Sequence, residues 1–96
     1  MYTVNEIENL IEPIAKRYGV KKVFLFGSYA KGTATENSDL DLLVDSGLKG
    51  LRFVGFVEDV RSGVQKDVDI IDTSHIDEGS TIDKEIKKYG RLIYEG

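Results

Sequence analysis

Apolar residues along this chain alternate between a helical and an extended rhythm. Ile7, Leu10, Ile11, Ile14 and Tyr18 recur at helical spacing up to Gly19, and Asn5 followed three residues later by Glu8 predicts a capping box at the start of that helix. Pro13 falls inside it. Proline lacks an N–H and crowds the preceding turn, so residues 5–18 read either as one kinked helix or as a short turn followed by a helix from Glu12. Residues 20–26 then read as a strand stopped by Gly27 and Ser28, and residues 27–38 as a short helical turn and loop. A second strand covers about residues 39–45. Because strand side chains alternate, Leu40, Leu42 and Val44 share one face of it, and Asp39, Asp41 and Leu43 the other.

Residues 48–60 carry Leu51, Phe53, Val54, Phe56, Val57 and Val60, more apolar girth than one helical stripe needs. That excess predicts either a core helix or one with a second, partner-facing side on which Phe53 or Phe56 would meet solvent in the isolated chain. Gly63 is expected to end this helix. A third strand follows at residues 66–71, with Val68 and Ile70 on one face and Asp67, Asp69 and Ile71 on the other. Ser80 with Asp83 then caps a last helix whose apolar stripe is Ile82, Ile86, Tyr89 and Ile93. Internal repeats, low-complexity tails and linkers are absent, so one domain over residues 1–96 is expected.

Composition narrows the chemistry. With no cysteine and a single histidine, His75, neither a disulfide framework nor a thiolate or histidine-rich metal site can form within the chain, and any metal would be held mainly by oxygen. The formal net charge of -4 weighs against a broad grip on a nucleic-acid backbone, which leaves Lys84, Lys87 and Lys88 as a solvated basic face. No apolar run is long enough to span a bilayer, and no secretory signal opens the chain. A cytoplasmic protein without membrane attachment is the expectation.

The chemistry concentrates between the first two strands. Asp39 and Asp41 project from one strand face and can hold hard divalent cations, while a Gly27-Ser28 turn with free backbone N–H groups can hold the phosphates those cations bridge. Asp67 and Asp69 offer a third acid from a later strand. Two-metal phosphoryl and nucleotidyl transfer sites are built from such parts, the metal charge offsetting the repulsion between crowded carboxylates.

The run Gly27-Ser28-Tyr29-Ala30-Lys31-Gly32 through Ser38-Asp39-Leu40-Asp41-Leu42 resembles the signature of the minimal nucleotidyltransferases of the DNA polymerase beta superfamily. The resemblance covers nearly the whole chain in order. It implies an α+β nucleotidyltransferase fold, a mixed sheet flanked by helices, with Gly27 and Ser28 on the nucleotide triphosphate and Asp39 and Asp41 on magnesium (Mg2+). It further implies a third acid from the later strand, for which Asp69, flanked by Val68 and Ile70, fits best and Asp67 is the runner-up. Lys31 stands where the family motif usually has arginine, keeping the cation without the guanidinium fork.

With 96 residues, the expectation is that the chain lacks the helical region that larger relatives use to hold nucleotide and acceptor. The resemblance therefore points to the short antitoxins of type VII toxin-antitoxin modules, which pair with a helical HEPN toxin. It implies a magnesium-dependent protein adenylyltransferase that moves AMP from ATP to a tyrosine of that toxin, in a hetero-oligomer. Asp69 would orient or deprotonate the acceptor hydroxyl. The alternatives are a non-catalytic subunit that binds a HEPN protein, and a transferase acting on a small molecule or RNA end, whose acceptor surface a homodimer or partner would supply.

Overall fold

The computed structural model describes residues 2–96. Its elements follow in the order α1 (Val4–Tyr18), β1 (Lys22–Phe26), α2 (Gly27–Lys31), β2 (Leu40–Asp45), α3 (Leu51–Val64), β3 (Val68–Asp72), a 3-10 turn at Thr73–His75, α4 (Thr81–Tyr89) and β4 (Arg91–Glu95). The four strands form one sheet in the order β3-β2-β1-β4. β1 runs antiparallel to both β2 and β4, whereas β2 and β3 are parallel, their connection passing through α3. This is the expected α+β architecture, a mixed sheet flanked by helices.

α1 is one helix, and its cap lies two residues before the expected one. Thr3 accepts from the Glu6 N–H at 3.1 Å, and the Thr3 N–H donates to Glu6 Oε1 at 2.9 Å, so the reciprocal pair is Thr3 with Glu6 and not Asn5 with Glu8. Pro13 is accommodated within the helix on its exposed side, where water can reach the carbonyl that it leaves without a donor. Ile7, Ile11, Ile14 and Ala15 face inward.

They meet the apolar face of the sheet. Val23 and Leu25 from β1, Leu40, Leu42 and Val44 from β2, Val68 from β3 and Ile93 from β4 pack with Phe56, Val60 and Val64 of α3 in one core. Phe56 is fully buried and Phe53 packs partly against the core, so neither is the solvent-facing aromatic that the apolar excess predicted. The excess falls on Leu51 and Val54, which are exposed. α3 also runs through Gly63, which lies against Ile14 of α1 (3.2 Å from a built Cβ to Ile14 Cδ1), and ends at Gln65, in the left-handed region at φ 56°. Close helix packing, and not termination, accounts for that glycine.

The last helix is shorter than its stripe suggests. Ile93, expected on α4, belongs to β4, because the chain turns at Gly90 and the following residues complete the open edge of β1 with Val23 opposite Tyr94 and Phe24 opposite Leu92. A Cβ at Gly90 would collide with the Ile86 carbonyl oxygen. Backbone pairing with β1 outweighs the helical period, since an unpaired inner strand would leave buried N–H and C=O groups unsatisfied. Ser80 caps α4 as expected, accepting from the Asp83 N–H at 3.2 Å. Among the described residues no helix is long and apolar enough to cross a membrane.

Candidate active site

Strand register builds the site. Phe26, the last residue of β1, lies opposite Asp41 on β2, and Asp41 lies beside Asp69 on parallel β3. The Gly27-Ser28 turn therefore opens directly onto the Asp41 carboxylate. Gly27 has φ 70°, and a Cβ built on it would press into the Asp41 carboxylate, 3.1 Å from Cγ and closer still to Oδ2. Conformation and space both demand glycine here.

Asp41 is half-buried, while Asp39, one residue before β2, and Asp69 are exposed. Burial, followed by the charges of Asp69, Asp39 and Glu85 and a hydrogen bond with Asp69, raises the Asp41 carboxyl from 3.8 to about 6. Asp67 is not among these causes. Its side chain is exposed and its backbone carbonyl serves the sheet by accepting from the Leu40 N–H at 3.0 Å. Asp39 and Asp69 thus share one electrostatic neighbourhood with Asp41.

These oxygens suit a hard divalent cation in donor type. Among the described residues, however, no three or more His, Cys, Asp or Glu side chains gather into a ready-made metal cage. Asp39 and Asp69 act on the charge of Asp41 without closing around a point. The site is also open. The clefts of about 460, 350 and 290 Å³ elsewhere on the surface are lined by none of the three aspartates.

Ser28 sits at the start of α2, its carbonyl accepting from the N–H groups of Gly32 and Thr33 to close that short turn. Tyr29 is a packing residue, although its buried hydroxyl has no hydrogen-bond partner among the described residues. Lys31 is engaged by α4: its Nζ lies 2.7 Å from Glu85 Oε1 and 4.9 Å from the centre of the Tyr89 ring. Glu85 is the neighbour that sequence reasoning missed, since nothing marks it among the charges of α4 until that helix is packed beside α2. His75 is exposed in the 3-10 turn after β3, consistent with a local surface role.

A second acidic centre is structural. Asp72 is buried and accepts from the N–H and Oγ of both Ser46 and Ser74, at 2.6 to 3.1 Å, tying the ends of β2 and β3 together. Burial works to raise its carboxyl, yet those hydrogen bonds prevail and hold it below the usual 3.8.

Residues 8–96 match the family described as Polymerase beta, Nucleotidyltransferase. The chain belongs to that family. It is 37% identical over 70 residues to a putative protein adenylyltransferase of Methanocaldococcus jannaschii, an alignment covering 71% of this chain and 75% of that one. With the protein adenylyltransferase MntA of Thermococcus cleftensis it shares 43% identity over 49 residues, 47% of this chain, and so matches half of MntA's length. Its fold superposes on a crystal structure of a toxin-antitoxin with AMP-PNP at a TM-score of 0.75 and 26% identity, covering 93% of this chain and 73% of that one. A structure of a tri-AMPylated Shewanella oneidensis HEPN toxin in complex with MNT antitoxin shares the fold at a TM-score of 0.70 and 20% identity, over 98% of this chain and 74% of that one. This nucleotidyltransferase sets the Gly27 turn against Asp41, with Asp69 beside it on β3.

Proposed function

We propose that this nucleotidyltransferase is a magnesium-dependent protein adenylyltransferase that transfers AMP from ATP to a tyrosine of a HEPN-domain toxin and so acts as an antitoxin. The observation that carries the reading is Asp41 set against the Gly27 turn with Asp69 paired beside it on parallel β3. Gly27 and Ser28 hold the triphosphate through backbone N–H groups, and Lys31 adds a cation beside it. Asp39, Asp41 and Asp69 hold Mg2+, which when bound offsets the phosphate charge and polarises the phosphoryl group. Asp69 accepts the proton of the tyrosine hydroxyl as its oxygen bonds to the α-phosphorus. The bond from that phosphorus to the bridging oxygen breaks, and pyrophosphate leaves.

Support for donor and acceptor comes from the relatives: one was crystallised with AMP-PNP, an ATP analogue, and another as a complex containing an AMPylated HEPN toxin. A HEPN protein in a hetero-oligomer with this chain would supply the tyrosine. The test is to incubate the chain with a HEPN-domain protein, sought first among the products of neighbouring genes, with labelled ATP and magnesium, and to locate the adduct by mass spectrometry. Transfer is expected with the wild type and lost with Asp39→Asn and Asp41→Asn, each of which removes a metal-ligand charge. Near-normal magnesium-dependent transfer by both variants would overturn the assignment.

A further inference from the structure

α4 has a strong amphipathic pattern and yet is shallowly seated. None of its residues is buried, and Ile82 and Tyr89 on its apolar stripe are 36% and 42% exposed. A specific polar connection holds it to the rest of the site, the Lys31–Glu85 contact of 2.7 Å with Lys31 also lying over the Tyr89 ring. Lys31 is thus spoken for. Its ammonium is stabilised first by the hydrogen bond to Glu85, and the Glu85 charge also reaches Asp41.

We propose that Glu85 is a built-in stand-in for nucleotide phosphate, a positioning residue that holds Lys31 and docks α4 while the site is empty and is displaced when a triphosphate arrives. The inference rests on the placing of the phosphates at Gly27, Ser28 and Lys31. A triphosphate carries more negative charge than one carboxylate and competes for the same ammonium, and it repels Glu85 across a short gap. Once Lys31 turns to phosphate, α4 loses its ion pair and part of its cation–π contact, and half-exposed apolar contacts alone remain to seat it. Nucleotide occupancy is thereby converted into release of one helix beside the site.

Hydrogen exchange across residues 81–89, followed with and without ATP and magnesium at concentrations where equilibrium dialysis shows binding, tests this. In the wild type, ATP should speed exchange in α4. In Glu85→Gln, α4 should exchange faster without nucleotide, ATP should add no further change, and ATP should bind about two- to fivefold more tightly, the upper range of one exposed ion pair. ATP that binds while α4 protection stays constant or rises would overturn the inference and leave the phosphate site standing, as would equal ATP affinity in Glu85→Gln. ATP binding indifferent to Lys31→Ala would remove Lys31 from the phosphate site and overturn this inference, and ATP binding lost in neither Lys31→Ala nor a bulky substitution at Gly27 would remove the phosphate site itself.

Discussion

Replacing Gly27 with alanine tests whether the turn and the Asp41 carboxylate form one unit. Two costs are expected, with separate origins. Holding alanine at the observed φ of 70° costs about 1–2 kcal/mol. Its methyl group would also occupy the space of the Asp41 carboxylate, and pushing that side chain off its rotamer adds about 0.5–1.5 kcal/mol. Urea unfolding at neutral pH in EDTA should therefore show a loss of about 2–3 kcal/mol with an unchanged denaturant slope. Only the steric part depends on Asp41. In an Asp41→Ala background the same substitution should cost about 1 kcal/mol less, a coupling above the roughly 0.3–0.5 kcal/mol scatter of independent sites. Adenylyl transfer by Gly27→Ala should fall at least about tenfold, since a shift of the turn displaces phosphate from the acids. Additive stabilities in the cycle would refute the argument, because the glycine would then answer only to backbone conformation.

Asp41 also predicts a pH dependence: its folded value of about 6 lies above 3.8, so the native state binds a proton that the unfolded chain releases between those values. Metal-free stability should rise as pH falls from 6 toward 4, and Asp41→Asn should stabilise the protein above pH 6, by about 1 kcal/mol after solvent screening, with the gain vanishing near pH 4 in urea titrations. A gain that persists at pH 4 would show that charge is not its origin. Asp69→Asn should depress the rate of transfer far more than nucleotide affinity, and Asp67→Asn should do little to either, as single-turnover kinetics and dialysis would show; the reverse ranking would move the third acid to Asp67. Tyr29→Phe should raise stability by about 1 kcal/mol because it removes a buried hydroxyl without a partner, and a loss in urea melts would mean that the hydroxyl is satisfied by bound water.

The placing of Asp41 against the turn was readable because two local rules agree there: a period of 2 puts Asp39, Asp41 and Leu43 on one side of the strand, and glycine marks the turn that Asp41 meets. The choice of Asp69 over Asp67 rested on its apolar neighbours and the family resemblance, and the parallel register places Asp69 beside Asp41. Where local signals compete, the sequence is ambiguous. Thr3 with Glu6 and Asn5 with Glu8 are equally good capping pairs, and the position of the first buried turn, from Ile7, favours the earlier one. Ile93 matches the stripe of α4 as well as it matches a strand, and only the open edge of β1 decides between them. Glu85 carries no local mark at all, because its importance arises from Lys31, a residue far away in the chain and adjacent only after α4 is seated.

β4 has a consequence for the order in which the chain can fold. β1 is a central strand, and its Val-Phe-Leu-Phe run gains one neighbour from β2 soon after it is made, but the other arrives only when residues 91–95 have been synthesised. Until then a growing chain displays the free edge of a highly apolar strand. Such an edge can pair with another chain, so the interval between emergence of β1 and of β4 is the period of greatest aggregation hazard. Slow translation of the α4 segment would lengthen that interval, and the yield of folded protein would depend on what shields β1 in the meantime.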